Sequence, residues 1–279
     1  MTCPRSTYVQ AAGFEIHVTE WGDPEKRALV MWHGLARTGR DFDEAAAALS
    51  EDYFVLCPDT PGRGLSSWAR SPEAGYSYRV FGEAALGLLD HYRIDSLRWV
   101  GTSMGGLIGI TLAAGALKGR ITRLVVNDIG PDIPAEGAGR IASYVGNPPV
   151  YDTIGELETW LRGNYAPFGE NTPAFWRRMA DSSARRTDDG RITVHYDPAI
   201  VTQFTVHKAD LDVWDKYDMV AAPVLLIRGE HSDVLSKETA EAMTRRGPRP
   251  RLVTIAGCGH APTLANGEQI QLLKDFLAG

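Results

Sequence analysis

The stretch Gly101-Thr102-Ser103-Met104-Gly105-Gly106 decides the fold of this chain. It follows an apolar, strand-like run at 97–100 and opens a helix-like run at 107–117. A Gly-x-Ser-x-Gly sequence between a strand and a helix is typical of a nucleophile elbow, a turn so sharp that a side chain on either side of the serine would clash. Such a turn holds the serine in a strained conformation with its hydroxyl above the sheet edge. Because the pentapeptide also occurs by chance, its meaning depends on the rest of the chain.

The composition is that of a globular protein. The chain has 279 residues, 44% of them hydrophobic and 23% charged, which suits one α/β domain or one domain with an insertion. The net charge of −6 argues against a nucleic-acid binder, which usually has a basic excess. No apolar run approaches the ~20 residues that span a bilayer, and residues 1–10 lack the apolar core of a signal peptide. We therefore expect no nucleic-acid or membrane partner.

The cysteine pattern indicates the cellular compartment of the protein. Cys3, Cys57 and Cys258 are odd in number and widely spaced, so they do not predict a disulfide framework. We expect a reduced, cytoplasmic protein, either a monomer or a homodimer. The sequence also lacks His-Glu-x-x-His, Cys-x-x-Cys and Walker patterns, so we expect no metal and no cofactor.

Strand-like and helix-like segments alternate along most of the chain. Strand patterns cover 14–21, 28–32, 53–57, 97–100, 121–127, 223–228 and 251–255, and helix patterns cover 42–49, 78–92, 107–117, 236–245 and 268–277. This alternation predicts an α/β fold with a mostly parallel, doubly wound sheet. Residues 131–211 interrupt it with frequent glycine, proline and aromatic residues. They predict a helical cap inserted into a core domain of residues 1–130 and 212–279.

Side chains with catalytic potential follow the predicted strands, where open parallel sheets bind their ligands. They are His33, Asp59, Ser103, Asp128, Asp233 and His260. We expect His33 to organise its loop rather than to act on a substrate.

A serine nucleophile needs a histidine base, and the histidine needs a carboxylate to orient it. His260 lies in a glycine-rich loop after the last predicted strand. Asp233 follows the strand at 223–228 and gives the chain order Ser, Asp, His. We therefore predict Ser103 as nucleophile, His260 as base and Asp233 as acid. Asp128 and Glu230 are the alternative acids.

An acyl-transfer site also needs two backbone N–H groups for the oxyanion. Met104 directly follows the serine and supplies the first. The second comes from the loop after the strand at 28–32, where His33-Gly34-Leu35-Ala36 stands, and we assign it to Leu35.

Several segments together resemble the α/β-hydrolase superfamily over nearly the whole chain. They are His33-Gly34, Asp59-Thr60-Pro61-Gly62-Arg63-Gly64-Leu65-Ser66, Gly101-Thr102-Ser103-Met104-Gly105-Gly106, Gly229-Glu230-His231-Ser232-Asp233 and Gly259-His260-Ala261-Pro262. The resemblance implies a serine hydrolase that cleaves small carboxylic esters or lactones through an acyl-enzyme on Ser103. Dehalogenases and epoxide hydrolases of this superfamily carry aspartate where this chain has Ser103. The chain also lacks the His-Gly-Gly-Gly of many lipase-like esterases.

Two other functions stay open. The same triad serves C–C bond hydrolases of diketone-type ring-cleavage products, whose dianionic substrates need arginines in the pocket. A ligand receptor with a vestigial triad is the non-enzymatic alternative. For substrate binding, we predict that Arg37 pairs with a substrate carboxylate, and that Trp68, Tyr144 and Trp160 wall an apolar pocket.

Overall fold

The computed structural model describes residues 3–279. Its strands are β1 (Arg5–Ala11), β2 (Phe14–Trp21), β3 (Arg27–Trp32), β4 (Tyr53–Pro58), β5 (Leu97–Thr102), β6 (Ile121–Asn127), β7 (Val150–Tyr151), β8 (Ala184–Arg186), β9 (Ile192–Val194), β10 (Val224–Gly229) and β11 (Arg251–Ile255). Its helices are α1 (Asp43–Leu49), α2 (Pro72–Gly75), α3 (Tyr78–His91), α4 (Met104–Ala114), α5 (Ala135–Val145), α6 (Ile154–Asn164), α7 (Pro173–Ser183), α8 (Thr202–Thr205), α9 (Trp214–Asp218), α10 (Lys237–Met243) and α11 (Gly267–Ala278).

The central sheet has eight strands in the order β1-β2-β4-β3-β5-β6-β10-β11. The pairs β1–β2 and β2–β4 are antiparallel. The other strands of this sheet, β4, β3, β5, β6, β10 and β11, pair in parallel. The predicted α/β fold with a mostly parallel, doubly wound sheet is confirmed. The sequence pattern did not predict β1, which lies at the edge of this sheet.

Both faces of the sheet are covered, and the side chains of β3 show how. Val30 and Trp32 pack into one hydrophobic cluster, whereas Leu29 and Met31 pack into the other. Because successive side chains of a strand point to opposite faces, a strand buried on both faces must be apolar throughout. Because β4, β3, β5, β6, β10 and β11 run parallel, their carboxyl ends lie at the same edge of the sheet.

Residues 131–211, which lie between β6 and β10, form a layer above that edge. It carries α5, α6, α7 and α8, and also a three-stranded antiparallel sheet in the order β7-β9-β8, which a purely helical cap would lack. Leu157 and Leu161 are fully buried in the larger hydrophobic cluster. The two ends of the segment meet, because the Val213 amide donates to the Pro131 carbonyl oxygen at 2.7 Å. We call residues 131–211 the cap, with the boundaries predicted from the sequence.

An ion pair fastens the cap to the core. The guanidinium of Arg178 on α7 donates to both carboxylate oxygens of Glu44 on α1, at 2.9 and 2.8 Å. Among residues 3–279, every helix falls short of the length and apolar character that a bilayer crossing requires.

Candidate active site

Ser103 lies in the turn between β5 and α4, with backbone angles φ 52° and ψ −116°. Positive φ is uncommon for a residue with a side chain, and such strain concentrates at functional sites. The flanking glycines make the turn possible. A Cβ on Gly101 would lie 2.2 Å from the carbonyl oxygen of Gly105, and one on Gly105 would lie 2.0 Å from that of Trp32. The geometry is that of a nucleophile elbow.

His260 connects Ser103 with Asp128. Its Nε2 lies 3.0 Å from the Ser103 Oγ, and its Nδ1 lies 2.9 Å from the Asp128 Oδ2. When the Nδ1–H donates to the carboxylate, the lone pair of Nε2 faces the serine hydroxyl. This is the orientation in which a histidine can accept the serine proton.

Asp128 directly follows β6 and is fully buried. Its Oδ1 accepts the Gly229 amide at 2.8 Å, and its Oδ2 accepts the Ser232 hydroxyl at 2.7 Å. Both donors come from the end of β10 and the loop after it. The neighbouring strand therefore holds the carboxylate in place for His260.

The prediction that Asp233 orients His260 is wrong. The Asp233 carboxylate instead accepts two hydrogen bonds from Arg140 on α5, at 2.5 and 2.9 Å. Burial alone would raise the pKa of Asp233, but the hydrogen bonds and charge of Arg140 lower it below its ordinary value. Asp233 lies four residues beyond Gly229, the end of β10, where the chain has already turned toward the cap. The alternative acid, Asp128, takes the place beside the imidazole.

The other alternative acid is also occupied elsewhere. Glu230 accepts the Gly257 amide at 2.9 Å through its Oε2. Its side chain is half exposed. Glu230 therefore links the loops after β10 and β11.

The two residues assigned to the oxyanion lie close to Ser103. Met104 is the first residue of α4, so its amide has no acceptor within the helix. Leu35 lines the same cavity as Ser103. The buried Arg63 contacts both residues, because its Nε donates to the Leu35 carbonyl oxygen at 2.8 Å and its Nη2 lies 3.8 Å from the Met104 sulfur. The role of the two amides stays a prediction.

His33 holds the loop that carries Leu35. Its ring is buried, its Nδ1 lies 2.6 Å from the Gly34 carbonyl oxygen, and its Nε2 accepts the Thr60 amide at 2.9 Å. The Nδ1 nitrogen must carry a proton to meet a carbonyl, and Nε2 must lack one to accept an amide. The surroundings therefore require a neutral imidazole.

We expect His33 to make the folded protein less stable as the pH falls from about 6.5 to about 4. Burial lowers its pKa from 6.5 to about 4, although the charge of Asp59 opposes this. The unfolded chain thus binds the proton first, so the contribution of His33 is complete above pH 6.5 and is lost as the pH falls through the folded pKa. At about 1.4 kcal/mol per pH unit, the loss is about 3 kcal/mol.

Urea unfolding at pH 7 and near pH 4 measures this loss. The matched control is His33→Gln, whose amide can accept the Thr60 N–H but does not titrate. The variant should lose about 3 kcal/mol less than the wild type over the same interval. Equal losses in the two proteins would contradict the assignment.

Ser103 and His260 open into a cavity between the sheet edge and the cap. The cavity is lined by His33, Gly34, Leu35, Ala36, Arg37, Asp41, Phe42, Thr102, Ser103, Arg140, Ile141, Tyr144, Asn164, Tyr165, Phe168, Phe175, His260, Ala261, Pro262 and Thr263. The predicted residues Arg37 and Tyr144 are among them.

Trp68 and Trp160 lie elsewhere, so the prediction that they wall this cavity is wrong. Trp68 is 40% exposed, and the Arg185 guanidinium lies 5.2 Å from its ring. Trp160 packs edge-on against Tyr165, at 6.4 Å between ring centroids, and so supports the wall from behind. Trp68 therefore joins the core to the cap through Arg185, and Trp160 packs within the cap.

On the face of α5 that looks into the cavity, sequence reasoning named Tyr144 but missed Arg140 and Ile141. Arg140, Ile141 and Tyr144 all line it. Their spacing is that of neighbours on one side of a helix. This periodicity could have grouped the three residues on one side of the helix, but it does not show which side faces the cavity.

The cavity contains two arginines, and each is paired with a carboxylate. Arg37 is buried, donates to both Asp41 oxygens at 2.8 and 2.6 Å and to the Ser183 hydroxyl at 2.9 Å, and lies 5.0 Å from the Tyr165 ring centroid. Arg140 is held by Asp233 as described above. Within residues 3–279, no three His, Cys, Asp or Glu side chains form a group that could hold a metal ion.

Comparison with known proteins places the chain in a family. Residues 29–270 match the model of the Alpha/beta hydrolase family. The 3-hydroxybutyrate-oligomer hydrolase of Cupriavidus necator is 37% identical over 93% of this chain and 92% of its own. The 2-(acetamidomethylene)succinate hydrolase of Mesorhizobium japonicum is 26% identical over 83% of this chain and 81% of its own. A solved alpha/beta hydrolase from Novosphingobium aromaticivorans superposes with a TM-score of 0.88, at 34% identity, over 100% of this chain and 99% of that one. This chain belongs to the alpha/beta hydrolase family.

Proposed function

We propose that this protein is a serine hydrolase of small carboxylic esters or lactones, with Ser103, His260 and Asp128 as its triad. The observation that carries the proposal is the continuous chain of contacts from the Ser103 hydroxyl through His260 to the buried Asp128. Ser103 and His260 line a cavity whose other walls come from both the core and the cap.

The reaction follows from these positions. The Ser103 Oγ attacks the ester carbonyl carbon while its proton passes to the His260 Nε2. The Leu35 and Met104 amides hold the resulting oxyanion. When the tetrahedral intermediate collapses, His260 gives the proton to the departing alcohol. Water then attacks the acyl-enzyme by the same path and releases the acid.

The cavity favours an uncharged reacting group. Its walls include the apolar surfaces of Ile141, Phe168 and Phe175, while Asp41 and Asp233 already occupy the guanidinium forks of the two arginines. A dianion would have to displace both carboxylates. The C–C hydrolase alternative is therefore less well supported than ester or lactone hydrolysis. The 37% identical relative is a hydrolase of 3-hydroxybutyrate oligomers, which also supports esters with small acyl groups.

The proposed compartment is the cytoplasm, with a monomer or homodimer as the assembly. Cys3, Cys57 and Cys258 are all free thiols, and two of them are buried. Free buried thiols are usual in proteins of reducing compartments.

A substrate panel tests the proposed function. It consists of p-nitrophenyl esters from acetate to dodecanoate, linear 3-hydroxybutyrate dimer and trimer, and a small lactone. We expect the fastest turnover with short acyl chains, and none with Ser103→Ala. Binding without turnover in the folded wild type would instead support the receptor alternative, and cleavage of dianionic diketones alone would support the C–C hydrolase.

Tyr144 and Trp68 provide a matched pair of aromatic residues for testing the cavity. Tyr144→Ala should lower kcat/KM for short esters by about 10-fold or more, since burial of an aromatic contact is worth about 1.5–3 kcal/mol. Trp68→Ala should leave kcat/KM within about twofold, because Trp68 lies outside the cavity. Steady-state kinetics on p-nitrophenyl butyrate measures both, and a larger effect from Trp68→Ala would contradict the assigned cavity.

A further inference from the structure

A second Ser–His–Asp array lies at the side of the central sheet that begins with β1 and β2. The Ser6 Oγ on β1 is 2.6 Å from the Nε2 of His17 on β2. The Nδ1 of His17 is in turn 2.8 Å from the Oδ2 of Asp59, which follows β4. The atoms are connected in the same order as in the Ser103 array, and both distances are shorter.

The array is rigid at its buried end. His17 and Asp59 are 3% and 2% exposed. The His17 amide donates to the Ser66 hydroxyl at 2.8 Å, and its carbonyl accepts the Asp59 amide at 2.8 Å. These bonds fix the backbone on both sides of the pair, so the imidazole meets the carboxylate in one orientation.

Asp59 is held in its charged form. Besides His17, it accepts the Gly39 amide at 2.7 Å and the Leu65 amide at 3.0 Å. Burial alone would raise the pKa of Asp59, but the hydrogen bonds that it accepts from His17 and the Leu65 amide lower it. A charged acceptor keeps the His17 proton on Nδ1, and the Nε2 lone pair then points at the Ser6 hydroxyl.

The open end of the array lies in a groove between the sheet edge and the cap. The groove is lined by Pro4, Arg5, Ser6, His17, Thr19, Thr38, Arg40, Asp59, Gly64, Leu65, Asp181, Ser182, Ala184 and His195. None of these residues lines the cavity of Ser103. Ser6 is exposed, so a molecule in the groove can reach its hydroxyl. Thr38 also lines the groove, and its buried hydroxyl has no hydrogen-bond partner among residues 3–279.

We propose that Ser6 is a second acyl-accepting site, which takes an acyl group from a donor with a good leaving group, such as an aryl ester or a thioester. The Ser6 Oγ forms a bond to the acyl carbon as its proton passes to the His17 Nε2. The bond from the acyl carbon to the phenolate or thiolate breaks, and the leaving group takes the proton from His17. The products are acyl-Ser6 and a free phenol or thiol.

Acylation of Ser6 occurs once per chain and is not followed by turnover. Acyl-Ser6 is an alkyl ester, which reacts with water more slowly than the aryl ester or thioester that formed it, and its hydrolysis is not assisted by donors at the oxyanion. Ser103 stands before the N-terminus of α4, which supplies such a donor, whereas Ser6 lies inside a paired strand. The adduct is therefore stable enough to detect.

The experiment uses full-length protein with Ser103→Ala, which removes the other nucleophile and separates this proposal from the proposed function. The protein is incubated with p-nitrophenyl acetate or an acetyl thioester, and peptide mass spectrometry follows acetylation of Ser6. We expect Ser6 to react about 10²-fold faster than the exposed Ser96, the lower range of general base catalysis.

Two further variants give the controls. Ser6→Ala, on an exposed edge position, should abolish the adduct on that peptide. Ser182→Ala should leave Ser6 labelling intact, because the Ser182 hydroxyl lines the same groove but donates to the Met179 carbonyl at 3.3 Å. Labelling of Ser6 no faster than of Ser96, in protein whose circular dichroism shows it folded, would overturn the proposal, as would labelling that persists at an equal rate in a folded His17→Gln variant.

Discussion

Replacing Ser103 with alanine is expected to lower kcat on a short ester by about 10⁵- to 10⁶-fold, the scale seen when the nucleophile of such a triad is removed. The variant keeps the cavity and the Leu35 and Met104 amides that are proposed to hold the oxyanion, so KM should change little. Its fold should also persist, because Ser103 contributes one hydrogen bond from its side chain, to His260. The strained backbone at this position stays strained with alanine.

Initial rates on p-nitrophenyl acetate and butyrate, with the melting temperature as a check on folding, measure this loss. The control is Ser96→Ala, an exposed serine just before β5, at the opposite end of the strand that leads to Ser103. A residual rate within 10-fold of the wild type would mean that another group attacks the ester. Peptide mapping of the acyl adduct would then identify that group.

The second large effect is expected at Asp128. Asp128→Asn should lower kcat by about 10⁴-fold, because an amide in place of the carboxylate favours the wrong tautomer of His260. The Asn oxygen can still accept the Gly229 amide, so the local structure should survive. Asp233→Asn should change kcat by less than about fivefold, since its partner is Arg140 and a half-exposed ion pair is worth about 0–1 kcal/mol.

The two variants form a direct comparison, because both remove one carboxylate charge from a loop at the same sheet edge. Their kcat values on one ester, at pH 7 and pH 9, identify the acid. The opposite order, with Asp233→Asn inactive and Asp128→Asn active, would return the acid to the position predicted from the sequence. Equal and small losses would mean that His260 works without a carboxylate.

The sequence predicted the parts of this site that depend on local pattern. Ser103 stands in a motif whose glycines are required by the turn itself. His260 follows the last strand of an alternating series, so the topology brings it to the same edge as Ser103. The sheet was predicted for the same reason, since each buried strand is an apolar run bounded by polar turns.

The choice of acid could not be made from pattern. Both Asp128 and Asp233 follow parallel strands, and both precede His260 in the chain. What separates them is the direction of a side chain after a tight turn: Asp128 has φ 56° and faces His260, whereas Asp233 faces the cap. Neither direction is encoded in hydrophobic periodicity.

The cap was predicted only in outline, and its internal order depends on packing. The strands β7, β8 and β9 are two or three residues long, too short to show alternation. The sequence named Trp68 and Trp160 as aromatic residues near the pocket, but it does not show whether they face the cavity. Such choices are made by contacts between segments that are distant in sequence.

The meeting of the cap's two ends at Pro131 and Val213 has a consequence for engineering. Ser103, Asp128 and His260 all lie outside residues 131–211, so an exchange of caps between relatives at these junctions would transfer the pocket wall and leave the reacting groups in the recipient core. The junction is already closed by one hydrogen bond, and a donor cap with similarly spaced ends should not pull the sheet apart. Such a chimera would need matched ion pairs across the boundary, among them Arg140 with Asp233 and Arg178 with Glu44. Chain-length preference should then follow the donor of the cap.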